Sequence, residues 1–266
     1  MSPAVHYGRA DVIRALTEAG ARPGSVVFSH SSVAMLGVPE CGLEQAAIAD
    51  MFLSAFREST GGTGTWILPA YTYSYTKDER FDPATTPPTQ DMGLLPNALW
   101  RHPDARRSLD PIFSVIAIGP QAQEMTSGVP ASCFGEDCVY ARLIDADGAI
   151  CNIGIGSHSA LLHHVEQTLG VPYRYLKTFA GVSVIDGERR ETEITYNVRN
   201  LDYPAHTAYF MRLDRDGRRD GSVTAATLGR GEINLIRARR MAELARRGVA
   251  DDPDYLVLGE LAPADG

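Results

Sequence analysis

Between residues 9 and 19, Val12, Ile13 and Leu16 recur at helical spacing and Gly20 follows, a residue suited to the left-handed turn that ends a helix. A first helix is expected there. Ser25-Val-Val-Phe-Ser-His30 is a short apolar run of strand type, closed by Ser31-Ser32 and a loop through Gly37. Residues 44–58 place Ala46, Ala47, Met51, Phe52 and Ala55 on one face of a second helix, which Gly61-Gly-Thr-Gly64 breaks. A second strand, Thr65-Trp-Ile-Leu-Pro-Ala70, comes next.

Residues 71–93 are rich in Pro, Thr and Asp and aromatic at their start, too long for an ordinary connection, and such loops usually serve a site. Alternation then resumes, with a helix near 94–101, a strand at 114–118, a helix near 139–144, a strand at 149–153 and a helix at 159–169. Tyr175–Ile185 and Glu191–Val198 alternate apolar and polar positions around Asp186-Gly187, the signature of a β-hairpin. A helix near 206–213, one or two strands, and a basic helix at about 234–247 carrying Arg237, Arg239, Arg240, Arg246 and Arg247 complete the pattern. The expected architecture is a single α/β domain over residues 1–266. Helices flank a central, mostly parallel sheet, mixed at its edge, and the hairpin is inserted in the C-terminal half.

Composition narrows the function classes. The chain has 266 residues, 44% of them hydrophobic, enough for a substantial core. A formal net charge of -8 disfavours a nucleic-acid partner and would suit a cationic small molecule, though ordinary solubility is the favoured explanation. Cys41, Cys133, Cys138 and Cys151 form no CxxC pair, so neither a zinc ribbon nor a disulfide framework is expected. With no signal-type start and no run of the roughly 18–20 apolar residues that crosses a bilayer, a cytoplasmic location without membrane partnership is expected.

Few residues stand out chemically. His163 and Glu166 are three apart, on one face of the predicted 159–169 helix just after Gly154-Ile-Gly156, while His164 is turned about 100° away. At a strand end such an imidazole can act as a base near neutral pH; a structural His–Glu pair is the plain alternative. The same spacing serves metal ligation, but no second such pair exists and His6, His30, His102, His158 and His206 are scattered singly, so no metal is expected. There is no Gly-x-Ser-x-Gly elbow, and neither Gly61-Gly-Thr-Gly64 nor Gly154-Ile-Gly156 completes a nucleotide fingerprint. Ser29-His30-Ser31-Ser32 and Phe113-Ser114 are polar breaks beside strands, suited to phosphate or amide oxygens or to simple capping.

An ordered set of segments carries a resemblance. It comprises His30-Ser31-Ser32 with Leu36-Gly37, Gly64-Thr65 through Leu68-Pro69-Ala70-Tyr71-Thr72-Tyr73-Ser74, Phe81-Asp82 and Gly93-Leu-Leu-Pro96. It continues through Arg107-Ser108, Pro111 to Val115, Phe134-Gly135, Leu162-His163 and Glu166. Together they resemble the aminoglycoside N3-acetyltransferase family over about residues 25–200, and a shorter branch of it through Gly170-Val-Pro-Tyr-Arg174 and Asn197-Val-Arg-Asn-Leu-Asp202. The resemblance implies a distinctive α/β fold, acetyl-coenzyme A as co-substrate, a small-molecule amine as acceptor and His163 as base; direct N-acyl transfer is then expected, with Glu166, or another carboxylate close in the fold, orienting the imidazole and favouring its protonated form. It places His30, Ser31, Ser32, Phe113 and Ser114 at the pantetheine and phosphate portions of the coenzyme, and Tyr71, Tyr73 and Asp202 toward the acceptor. The 71–93 loop is expected to close over the substrates, and Arg101, Arg106 and Arg107 are candidates for the coenzyme phosphates. Asp110, where the family has histidine, and Ala160, where threonine is usual, are departures that keep a catalytically silent homologue open. A homodimer is compatible with the sequence and not required by it.

Overall fold

The structure, a computed structural model, describes residues 5–259. In chain order the elements are β1 (His6–Tyr7), α1 (Arg9–Ala19), β2 (Val26–Ser31), β3 (Val38–Pro39), α2 (Gln45–Ser59), β4 (Thr65–Pro69) and α3 (Leu94–Leu99). They continue with β5 (Arg106–Arg107), β6 (Val115–Ile118), α4 (Ala122–Thr126), α5 (Val139–Asp145), β7 (Ala149–Ile153) and α6 (Leu161–Leu169). The last are β8 (Arg174–Ile185), β9 (Glu188–Arg199), α7 (Met211–Arg219), β10 (Thr224–Leu228), β11 (Gly231–Arg237) and α8 (Ala238–Asp251).

A 7-stranded mixed sheet in the order β10-β11-β7-β2-β4-β6-β5 forms the centre. Strand β2 runs parallel to both β4 and β7, because helices cross over between them, whereas β11 and β6 pair antiparallel on either side. The parallel part is thus narrower than the alternation of elements predicts, and antiparallel strands occupy both flanks. The inner strands β4, β6 and β7 are buried along their whole length, and β2 through Ser29, so both faces are packed and no period-2 signal survives in them.

One face is covered by α1 and α2. Val12 and Leu16 are buried as expected, and Gly20 ends α1 at φ 115°. The buried stripe of α2 is Ile48, Ala49, Phe52, Leu53 and Phe56, whereas Ala46, assigned to the core from sequence, is exposed. Phe56 stacks on Trp66 at 5.1 Å, and the indole N–H donates to Ser29 Oγ at 2.9 Å, so the ring is buried without an unmet donor. The other face carries α5, α6 and α8, with Leu161, Leu162, Val165, Met241 and Leu244 buried. Each such side chain contributes roughly 1.5–3 kcal/mol by leaving water.

Two C-terminal boundaries differ from expectation. The helix placed near 206–213 starts at Met211, and residues 231–237 are strand rather than the beginning of the basic helix. Ile233 and Leu235 pair with Ile153 and Cys151 of β7, and that burial outweighs the helical reading of the arginines. The arginines of α8 form a solvated face, with Arg240 meeting Asp220 at 2.8 Å and Glu243 at 3.2 Å, while Arg237 at the end of β11 meets Asp147 at 2.5 Å. The hairpin β8–β9 forms a separate two-stranded sheet turning at Asp186-Gly187, where both residues take positive φ (54° and 80°), as a tight two-residue turn requires. No helix among the described residues is long and apolar enough to cross a membrane.

Candidate active site

The carboxyl ends of β2, β4 and β7 open into a cleft of about 310 Å³ lined by residues that include His30, Ser31, Tyr73, Phe113, His158 and His163. Ligands of α/β sheets gather at such strand ends, because the loops after parallel strands diverge there. A larger cavity, about 470 Å³ between α2 and the 103–106 segment, lies away from all of these residues; of the candidates it holds only Arg106, which is thereby placed apart from the cleft.

His163 enters the cleft from the first turn of α6. Ser159 Oγ accepts the Leu161 N–H at 3.1 Å and so caps this helix, which explains why Ala160 can stand in the capping position without a polar side chain. Nδ1 of His163 lies 2.6 Å from Glu166 Oε2. A carboxylate can only accept, so Nδ1 carries the proton and Nε2 is left with a lone pair. Glu166 is fully buried behind the imidazole and also receives the Tyr173 hydroxyl on Oε1 at 3.1 Å. His164, as its position on the helix predicts, points elsewhere, onto Phe134 O at 2.9 Å.

Burial holds the His163 proton affinity below the ordinary histidine value, assisted by the Arg174 guanidinium; Glu166 acts in the opposite direction and does not prevail. The pull of Glu166 toward the imidazolium is thus present but outweighed by burial and Arg174. Arg174 Nε, 2.6 Å from the same Oε2, neutralises the carboxylate.

His30 and His158, read from sequence as isolated, converge on this site. Their rings meet edge to face at 5.0 Å, and His158 and His163 both pack on Phe210, at 5.3 and 5.9 Å. His30 is driven well down in proton affinity by burial and then by His158 and His163, so it is neutral at physiological pH. His158 is pushed the same way by desolvation and by His163, though part of its ring faces solvent. No group of three or more His, Cys, Asp or Glu side chains able to hold a metal is present among the described residues.

The other predicted residues divide. His30 Nε2 and Ser31 Oγ are buried in the cleft wall without a hydrogen-bond partner, an expensive arrangement that a bound acceptor or donor would relieve. Ser32 belongs to the turn behind them, its N–H bonded to Ile153 O at 2.8 Å. Phe113 is cleft wall, but Ser114 is not: it is wholly buried, and its hydroxyl donates to Ala70 O at 2.5 Å and accepts from Arg107. Direct contact of Ser114 with a coenzyme is thereby corrected to a role in holding the β4 terminus. Tyr71 presents its ring, with its hydroxyl committed to Tyr140 at 2.7 Å, while Tyr73 stands against Phe113 at 5.3 Å with φ 56°. Asp202 sits exposed in the turn after β9, outside the cleft, so its assignment to the acceptor is not supported by position. Asp91, which the sequence reading passed over, supplies the cleft's acidic side chain.

The 71–93 loop is a built wall rather than a free lid. Tyr75 and Phe81 are buried, and Arg107 bonds to Thr86 O and, at 2.7 Å, to Ala70 O. With its guanidinium so engaged, Arg107 is unavailable to a phosphate, and Arg101 lies over the Trp100 ring at 4.2 Å. Asp110 is no sign of drift: its carboxylate accepts the N–H groups of Ile112 and Phe113, both at 2.8 Å, and sets the turn that presents Phe113.

Residues 28–249 match the family described as Aminoglycoside 3-N-acetyltransferase, and the chain belongs to that family. Among curated relatives, aminoglycoside N(3)-acetyltransferase IV of Salmonella sp is 34% identical over 170 residues, 63% of this chain and 61% of that protein. Aminoglycoside N(3)-acetyltransferase VII of Streptomyces paromomycinus is 28% identical over 261 residues, 88% of each chain. Among solved structures, a histidine-to-alanine mutant of aminoglycoside acetyltransferase AAC(3)-IVa in complex with gentamicin superposes with TM-score 0.76 at 27% identity, covering 96% of this chain and 93% of that one. AAC-IIIb as a binary complex with CoASH shares the fold, with TM-score 0.78 at 22% identity over 97% of this chain and 100% of that one.

Proposed function

We propose that the chain, acting as one catalytic unit in the cytoplasm, transfers an acetyl group from acetyl-coenzyme A to an amino group of an aminoglycoside or a related amino sugar, with His163 as general base. The carrying observation is the His163 imidazole on the wall of the strand-end cleft, its Nδ1 fixed 2.6 Å from Glu166, with burial lowering its proton affinity. Nε2 takes the proton that an attacking amine must lose, and Glu166 stabilises the imidazolium that forms. Direct transfer suits the cleft, which holds no nucleophile activated by a base.

Acetyl-coenzyme A supplies the acyl group. The unpartnered His30 Nε2 and Ser31 Oγ fit the amide and thioester oxygens of its pantetheine arm, with Ser32 supporting that turn. Asp91 at the cleft attracts a cationic acceptor, in keeping with the aminoglycosides named for the relatives and the gentamicin and CoASH complexes of solved family members. The test is release of coenzyme A thiol from acetyl-coenzyme A across a panel of aminoglycosides, amino sugars and amino acids, with the product mass measured. Thiol release and a product heavier by one acetyl group support the reading. Tight acetyl-coenzyme A binding without turnover on any amine contradicts it.

A further inference from the structure

Glu166 Oε2 is shared by two groups at the same separation: His163 Nδ1 and Arg174 Nε each lie 2.6 Å away. The first contact is an aligned hydrogen bond. The second is an ion contact off the hydrogen-bond axis, since Arg174 Nε has no aligned acceptor. The Arg174 side chain is 3% exposed and Glu166 is fully buried, so the charges face each other without solvent between them. Arg174 opens β8, and one end of its guanidinium donates to Asn197 O of β9 at 3.1 Å. The root of the hairpin therefore fixes the arginine, and the arginine reaches back to α6.

We propose that Arg174 is a positioning residue of the His163–Glu166 pair: by neutralising the buried carboxylate it keeps the imidazole uncharged and its Nε2 free to accept a proton. This rests on the reading of His163 as base. A buried carboxylate beside a histidine would by itself draw a proton onto the ring and disable it as a base at neutral pH. The opposing charge of Arg174 cancels that pull while leaving Glu166 as hydrogen-bond acceptor, so orientation is kept without loss of basicity. The direction of the His163 shift agrees, with Arg174 second only to burial among its causes.

The remaining groups around the ring do not substitute for this arginine. On the β2 side stands His30, and His158 comes from the 154–160 loop; both are uncharged. Tyr173 donates to the other oxygen of Glu166, and Tyr196 of β9 is held protonated by burial. Asp91 across the cleft is negative and would favour imidazolium.

The experiment is a side-chain NMR titration of His163 in the full chain, run beside kcat/KM against pH for acetyl transfer. Arg174→Gln is expected to move the His163 midpoint up by about one pH unit, and the acid limb of kcat/KM with it; Arg174→Lys restores most of both. An arginine that served only the fold would lower activity at every pH without moving either curve. If Arg174→Gln fails to fold because Glu166 is left unpaired, the comparison is made between Glu166→Gln and Glu166→Gln/Arg174→Met, where the second change is expected to raise the His163 midpoint. An unchanged midpoint overturns the inference. A raised midpoint in a protein that acetylates no amine sustains the inference and removes the proposed reaction, so the two fail separately.

Discussion

The carboxylate of Asp110 accepts the backbone N–H of Phe113 at 2.8 Å, and through that bond a fully desolvated acid holds one wall of the cleft. Burial pushes Asp110 up to about 6, above its ordinary 3.8, although the N–H groups of Phe113 and Ile112 act against the rise. The folded state therefore keeps a proton that the unfolded chain releases between these values. The stabilisation is complete below 3.8 and is lost as pH rises to about 6. Denaturant unfolding across this window is expected to show Asp110→Asn, which keeps the acceptor oxygen and cannot ionise, escaping a loss of about 3 kcal/mol that the wild type suffers. Equal slopes for the two proteins would contradict this account of Asp110.

Phe134 is fully buried and lies between the cleft and the core, 4.8 Å from Phe113 and 5.4 Å from His163. Phe134→Ala should cost about 3–5 kcal/mol of stability through the cavity it leaves. Because the His163 ring loses one of its two aromatic packing partners, kcat should fall more than KM rises. Steady-state kinetics on the folded variant, beside its unfolding curve, checks both parts.

Asp91 is exposed at the cleft and engaged by no ion pair among the described residues, so its carboxylate is available to an incoming cation. Asp91→Asn should raise KM for an aminoglycoside about tenfold with kcat nearly unchanged, a difference equal to about 1.4 kcal/mol. The wild type should lose this advantage as salt screens the charge. A variant whose KM and salt dependence match the wild type would remove Asp91 from acceptor recognition.

The fold was legible where local chemistry and tertiary burial agree. Strand β7 falls at residues 149–153 as its apolar run predicts, and Asp186-Gly187 placed the hairpin turn, since few residues other than Gly, Asn and Asp tolerate positive φ. It was illegible where pairing decides: the two-residue strand β5 exists only because Arg106 and Arg107 lie beside β6, and no local pattern marks it. The same division holds in the site. His163 and Glu166 share a helical turn and could be read as a pair, and His164 could be read as turned away. The approach of His30 and His158 to His163 depends on β2 lying beside β7, a contact between distant segments that their spacing does not carry. Ser114 looked available because it begins a strand; only the structure shows its hydroxyl held by Ala70 and Arg107.

The most direct measurement is single-turnover acetyl transfer by His163→Gln, which preserves side-chain polarity and removes the titratable nitrogen. With acetyl-coenzyme A binding followed in parallel, the account predicts a rate lower by about 10²- to 10⁴-fold, near-normal coenzyme affinity, and loss of the acid limb in the pH profile. A variant that transfers acetyl groups at the wild-type rate, with the wild-type pH profile, would contradict it.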